Sequence, residues 1–179
     1  MKRSFTAIFA LALLISALPQ SSEAYVATKA TSLRLNDHTL MFLLTYEFGH
    51  EKLAYRLPYL ATRGGDEQAE GVGYDVRNNN LRTNSGGAIA VVLSDAELEN
   101  GMYVVPKNES REFTLVTFLT VPEGAATSSK YSISVNSLPF EFVKDGVTYP
   151  NHLNPGELKN YQTPAIGKGE KIGITQKLN

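Results

Sequence analysis

Residues 111–121 read REFTLVTFLTV, and this stretch has the clearest strand pattern in the chain. Apolar or threonine side chains recur at every second position, from Phe113 through Leu115 to Val121. A period of two is typical of a β-strand that buries one face, because successive side chains point to opposite sides of the backbone. Pro122 follows directly and lacks a backbone donor, so we expect the strand to end there. The stretch therefore predicts one long, half-buried strand.

The same alternation recurs along most of the chain and predicts an all-β protein. The other predicted strands are residues 30–35, 39–48, 52–57, 72–76, 88–93, 102–105, 131–135, 138–142 and 171–175. Turn residues separate them at intervals of roughly 8–12 residues, which favours an antiparallel β-sandwich, with a β-barrel as the alternative. One exception is Ser94-Asp-Ala-Glu97, whose capping-box spacing predicts a short helical turn that stops at Asn100-Gly101.

The first 24 residues have the organisation of a secretory signal peptide. Met1-Lys2-Arg3 supplies a positive start, and residues 5–18 form an apolar run interrupted by two polar residues. Ser22-Glu23-Ala24 then places small residues where signal peptidase requires them. The apolar run is shorter than the roughly 20 residues of a membrane-spanning helix. The pattern predicts cleavage after Ala24 and a protein that is secreted, at the cell surface or in the periplasm, and not membrane-spanning after cleavage.

Composition sets the size and the redox chemistry of the expected domain. Without residues 1–24 the 179-residue chain retains 155 residues, the size of one typical domain. We expect the sandwich to span residues 25–155 and a C-terminal strand or extended tail to span 156–179. The chain has no cysteine, which excludes disulfides, thiolate metal sites and cysteine nucleophiles. The formal net charge is −1 and no basic stripe is present, so we expect no nucleic-acid partner.

Four short motifs follow one another between Val105 and Val135: VPKNES at 105–110, FTL at 113–115, VPEG at 121–124 and KYSISV at 130–135. Over residues 106–143 the chain thereby resembles the bacterial immunoglobulin-like modules of many exported proteins. The resemblance implies an immunoglobulin-like sandwich in which the strand before the proline and the strand after the tyrosine of this pattern belong to opposite sheets. It implies no activity, because such modules serve as spacers, adhesive surfaces and polymer subunits alike.

Acidic side chains in the glycine-rich segment 63–87 are the nearest approach to a metal site. Carboxylates and backbone carbonyls in such a loop are the ligands that Ca²⁺ takes, although their order differs from that of an EF-hand. The weak calcium candidates are Asp66, Glu67, Glu70 and Asp75. A mobile surface loop is the alternative, and the favoured, interpretation of this composition.

No catalytic motif is recognisable in the sequence. Glu47 and His50 are three residues apart at a predicted strand end, where such side chains point to opposite faces. The string Thr83-Asn-Ser-Gly-Gly87 lacks the first glycine of a nucleophile elbow and precedes a strand. We therefore expect no catalytic residue, no cofactor and no enzymatic activity.

Three tyrosines near prolines, Tyr59, Tyr149 and Tyr161, suggest a recognition surface, since exposed aromatic rings favour contacts with a partner. They could equally cover the ends of the sandwich. The expected function is that of an extracellular structural or surface-interaction protein, whose partner is another protein or a surface glycan. A secreted ligand-binding module, for example for carbohydrate, is the alternative, with the loops of residues 63–87 and the tyrosines as its site. A hydrolase is the third interpretation.

Two further predictions concern packing and assembly. Six side chains are expected in the core: Phe42, Leu44, Leu115, Leu119, Ile133 and Val135. Residues 26–35, 39–48 and 52–57 are expected to be consecutive antiparallel neighbours, with a tight turn at Asn36-Asp37. Because the first strand follows the cleavage site, it could also be donated to the sheet edge of a second molecule. Self-assembly through edge strands is therefore expected as a minority route beside intramolecular pairing.

Overall fold

The computed structural model of the chain describes residues 25–64, 70–167, 170 and 173–178, and these form two stacked β-sheets without a helix. The predicted signal peptide lies outside the described residues. Within them, no helix is long and apolar enough to cross a membrane. The described strands are β1 Tyr25–Arg34, β2 Thr39–Gly49, β3 Ala54–Pro58, β4 Ala61–Arg63, β5 Val72–Asn78, β6 Leu81–Arg82, β7 Gly87–Ser94, β8 Glu97–Glu99, β9 Met102–Val105, β10 Ser110–Thr120, β11 Lys130–Lys144, β12 Val147–Leu153, β13 Ile166–Gly167 and β14 Ile174–Lys177.

The smaller sheet has five strands in the order β14-β1-β2-β10-β7, all antiparallel to their neighbours. Its central strand, β2, is apolar on both faces over its first half and is paired along both edges. β1 reaches β2 through the predicted turn at Asn36-Asp37, and β10 pairs with β2 from Ser110 to Thr120. The strand that begins the described chain is thus paired within the molecule.

The larger sheet runs β4-β5-β11-β3-β9-β8, with β6, β12 and β13 attached at its sides. Its longest strand is β11, with 15 residues. The break predicted after Val135 is a bulge between Val135 and Ser137, where the pairing with β5 shifts by one residue. A bulge re-aims the strand without ending it, so β11 continues and pairs with β12 and β3 beyond that point.

The core lies between the inward faces of the two sheets. All six side chains predicted to be buried are at most 4% exposed, which confirms that prediction: Phe42, Leu44, Leu115, Leu119, Ile133 and Val135. The C-terminal segment also contributes, since Leu158, Tyr161 and Ile166 are buried. Ser32 Oγ donates a hydrogen bond to the Pro164 carbonyl at 2.6 Å, which ties this segment to β1. Residues 156–167 are therefore integrated into the sandwich.

The position of β3 differs from the prediction. It leaves β2 and pairs with β9 and β11 in the other sheet. β10, which forms an eleven-residue ladder, takes the place beside β2 that the prediction gave to the five-residue β3. The longer ladder satisfies more backbone groups and buries more side chains, so a short sequential neighbour is displaced by a long distant one.

The segment that resembles immunoglobulin-like modules contributes strands to both sheets, since β10, which ends before Pro122, belongs to the smaller sheet. The strand before Pro106 is β9 and the strand that carries Tyr131 is β11. Both belong to the larger sheet, with β3 between them.

The predicted helical turn after Ser94 is a β-hairpin instead. Ser94 Oγ does accept a hydrogen bond from the Ala96 amide, at 3.2 Å, as a capping serine would. However, Glu97–Glu99 extends as β8 and pairs with β9. Asn100 and Gly101 have positive φ angles of 50° and 81°, and two such residues in succession are typical of a tight hairpin turn.

Candidate interaction surface

The outward face of the five-stranded sheet is the most unusual surface in the described part of the chain. Positions that alternate with the core residues carry apolar side chains on four adjacent strands. The set consists of Leu33 on β1, Met41 and Leu43 on β2, Val116 and Phe118 on β10, and Ile89, Val91 and Leu93 on β7. We call these eight side chains the outer face.

Strand register aligns the outer face into rows that run across the sheet. Phe118 lies opposite Ile89 on one side and Met41 on the other, and Met41 lies opposite Leu33. In the next row, Val116 lies opposite Val91 and Leu43. Side chains directly opposite each other are about 4.5–5.5 Å apart at Cβ, so each row is a continuous apolar strip.

The outer face is accessible where β7 forms the edge of the sheet. Ile89 is 72% exposed, Leu93 51% and Phe118 36%, whereas Val116 is screened by its neighbours and is 8% exposed. An isolated exposed leucine needs no explanation, but a contiguous patch usually marks a contact with another molecule.

Polar side chains bound the outer face at one end. Thr45 and Thr114 lie opposite each other, and their hydroxyl groups are 3.1 Å apart in a cross-strand hydrogen bond. In the next outward row, Glu47 and Glu112 are exposed and directly opposite each other. Lys29 lies in the threonine row, on β1. The outer face is thus apolar at its centre and charged only at its rim, which is the usual anatomy of a protein interface.

The free edge of β7 is covered in part by the larger sheet. The Val92 amide donates a hydrogen bond to the Tyr59 carbonyl at 3.0 Å, and Leu60 forms a bridge with Val91. These contacts hold the apolar β7 edge in line with the rest of the sheet. They also shield the backbone groups of its central residues from pairing with another strand.

The three tyrosines predicted to form a recognition surface have different surroundings. Tyr161 is 4% exposed and packs against Tyr46, with ring centroids 5.9 Å apart, so burial removes it from that surface. Tyr59 is partly buried against the core. Tyr149 is 42% exposed, and its ring stacks on Phe142 with centroids 5.1 Å apart.

Two of the four calcium candidates, Asp66 and Glu67, lie outside the described residues. Of the other two, Glu70 is exposed. Asp75 is buried and pairs with Arg82, whose Nε is 2.8 Å from Oδ1. An arginine thus already neutralises this carboxylate. The described residues contain no group of three or more metal-ligating side chains.

Shifted pKa values among the described residues have simple structural causes. Burial, followed by the nearby Tyr161 and Tyr103, raises the pKa of Tyr46 far above its usual value. Burial also raises the pKa of Tyr55 and Tyr74. The hydrogen bond from Lys130, whose ammonium is 3.0 Å from the carboxylate, lowers the pKa of Glu170.

The predictions from sequence considered only the more apolar side of each strand, and they therefore did not include the outer face. Its signal is present in the sequence, because Val116 and Phe118 interrupt the polar side of β10, and Met41 and Leu43 do the same in β2. In β2 such residues are also typical of a central strand. A sandwich strand has one inward face only, so apolar residues on both faces also indicate an outward contact.

Comparisons with known proteins do not assign the chain to a family. No protein-family model matches it, and no curated protein matches it.

Proposed function

We propose that this protein is an exported, non-enzymatic β-sandwich that acts as a structural or surface-interaction protein through the outer face. The observation that carries the proposal is the alignment of eight outward apolar side chains on four neighbouring strands. The proposal of export rests on the leader-like residues 1–24.

We further propose that the occupant of the outer face is a second copy of the chain. Two identical sheets have the same right-handed twist, so their faces can stack about 10 Å apart with strands nearly aligned. Phe118 of each copy would then lie in the apolar centre, with Ile89 beside it on the edge strand β7. The rim charges Glu47, Glu112 and Lys29 would remain hydrated, so association would bury no unpaired charge at the centre.

The available area is sufficient for a dimer of modest stability. Four strands at a spacing of about 4.8 Å, each contributing roughly eight residues at about 3.4 Å, give an outward sheet surface of about 500 Å², about half of it formed by the eight apolar side chains and the rest by the polar rim. Two such faces together bury about 1,000 Å², the lower limit for a specific interface. We therefore expect association that depends visibly on protein concentration.

Sedimentation equilibrium of the protein beginning at Tyr25 tests this proposal over a range of micromolar concentrations. Ile89→Glu places a charge beside Phe118 in the outer face and should shift the protein to monomer. Leu81→Glu is the matched control, because Leu81 is 74% exposed, like Ile89 at 72%, but lies on β6 of the other sheet. This variant should associate as the unmodified protein does.

Two results would overturn the proposal of self-association. One is an unmodified protein that stays monomeric up to several hundred micromolar. The other is equal weakening by Leu81→Glu and Ile89→Glu, which would locate association elsewhere. Deleting residues 25–31 provides a further comparison, because loss of association in that variant alone would favour strand exchange over stacking of the outer faces.

A further inference from the structure

A cleft opens at the end of the sandwich where the β11–β12 hairpin projects past the β2–β3 loop. Its volume is about 590 Å³, within the range of roughly 300–1,000 Å³ that is usual for small-molecule sites. Its lining comprises His50, Lys52, Leu53, Ala54, Lys107, Phe142, Val143, Lys144, Asp145 and Gly146. Three separate segments therefore meet here, and none of them belongs to the outer face.

The walls of the cleft are held by local hydrogen bonds and by turn geometry. His50 Nδ1 accepts a hydrogen bond from the Lys52 amide at 3.0 Å, and the His50 carbonyl accepts one from the Asn108 amide at 3.2 Å. On the opposite side, Asp145 and Gly146 have φ angles of 52° and 79°, which close the β11–β12 hairpin in a tight turn. Both walls are thus preformed.

The apolar part of the cleft is formed by Leu53, Ala54, Phe142 and Val143. Val143 and Ala54 are direct cross-strand partners. The Phe142 ring stacks on that of its cross-strand partner Tyr149, with an angle of 18° between the ring planes. This packing limits rotation of Phe142, so that an apolar ligand would meet a fixed surface.

The rim of the cleft is positively charged. Lys52, Lys107 and Lys144 are exposed, and none has an ion-pair partner among the described residues. The carboxylate in the lining is that of Asp145, so the lysines outnumber it by three to one. Ammonium groups around a low-dielectric apolar wall attract anions more strongly than they would on a flat, hydrated surface.

We propose that this cleft binds a small amphipathic anion: one carboxylate or phosphate group attached to an acyl or aryl body. The apolar residues would receive the body and the three lysines would surround the headgroup. A neutral sugar is a poorer fit, because it carries no negative charge to balance the three lysines of the rim.

Titrations with octanoate and octyl phosphate test the proposal, with octyl glucoside as the neutral ligand of equal chain length. Binding is followed by amide chemical shifts and by calorimetry. Both anions should bind and shift the amides of Ala54 and Val143, whereas octyl glucoside should bind at least tenfold more weakly. The ratio of the two anion affinities shows which headgroup the cleft prefers.

Charge variants locate the headgroup. Each of Lys52→Gln, Lys107→Gln and Lys144→Gln should weaken octanoate binding roughly fivefold, as expected for one unit charge at about 4 Å in water. The triple variant should weaken it more than tenfold. The control exchanges three exposed lysines outside the cleft and the outer face, Lys130, Lys159 and Lys177, for glutamine and should leave the affinity unchanged.

The proposal fails if neither anion binds at 10 mM, if octyl glucoside binds as well as octanoate, or if the control triple variant weakens binding as much as the cleft variant. The result is independent of self-association. Ile89→Glu, which disrupts the outer face, should leave the octanoate-induced shifts at Ala54 and Val143 in place.

Discussion

Truncation of Leu115 tests the assignment of strand faces on which the proposal of the outer face depends. Leu115 is 1% exposed and lies at the middle of β10. Its cross-strand partners, Leu44 on β2 and Val92 on β7, are equally buried. Leu115→Ala therefore opens a cavity in the centre of the sheet's inward face, where neighbouring side chains have little freedom to collapse.

The expected cost follows from the lost burial and the cavity. Removal of three carbon atoms loses about 2.4 kcal/mol at about 0.8 kcal/mol for each buried methylene. The cavity left behind adds to this, and leucine-to-alanine changes in cores cost about 2.7–5 kcal/mol in all. We expect the free energy of unfolding in urea to fall by about 3–4 kcal/mol, without a change in the slope of its denaturant dependence.

Phe118→Ala is the matched control because Phe118 lies on the same strand but on the outward face, at 36% exposure. Although it removes a larger side chain, solvent fills the space, and we expect a loss of about 1 kcal/mol or less in dilute protein. A loss at Phe118 equal to or greater than that at Leu115 would contradict the register of β10. The identity of the outer face would then be wrong as well.

Three further predictions concern pH, a glycine and a partly buried arginine. Burial holds the pKa of Tyr46 above its unfolded value of 10.0. The stability that comes from this difference in pKa is complete below pH 10 and is lost as the pH rises further. In alkaline unfolding curves, Tyr46→Phe should therefore retain about 1.4 kcal/mol more of its neutral-pH stability at pH 11 than the unmodified protein does. Gly86→Ala should lower the free energy of unfolding by about 1–3 kcal/mol, measured by thermal unfolding. The reason is that φ is +81° and the added Cβ would lie 2.4 Å from the Thr120 carbonyl oxygen. Gly124→Ala, at φ +77° with no atom within 4 Å, should lower it less. Arg63 donates hydrogen bonds to the carbonyls of Gly86 and Thr83 at 2.6 and 2.8 Å, so Arg63→Met should speed amide exchange in residues 83–86, and unchanged exchange would contradict this role.

The positions of most strands, and the inward faces of several, could be predicted from the sequence alone. In β10 the alternation through Phe113, Leu115 and Leu119 placed the correct side in the core, because side-chain direction along a strand depends only on parity. The turn at Asn36-Asp37 was predictable for a similar reason, since it joins two strands that are adjacent in the chain. The all-β class followed from the same repeated pattern.

Which strands are neighbours could not be predicted from the sequence and is known only from the tertiary structure. Both candidate sites depend on that order of strands. β2 and β10 are about seventy residues apart in the chain, yet their pairing displaces β3 and brings Met41 beside Phe118. Local periodicity does not show which strand pairs with β2. That pairing depends on the free energy gained by packing whole strands together, compared with the entropy lost in closing long loops. The lysine-rimmed cleft has the same origin, because Lys52, Lys107 and Lys144 come from three distant turns. Each lysine alone is an ordinary exposed charge; the fold places all three around one apolar surface.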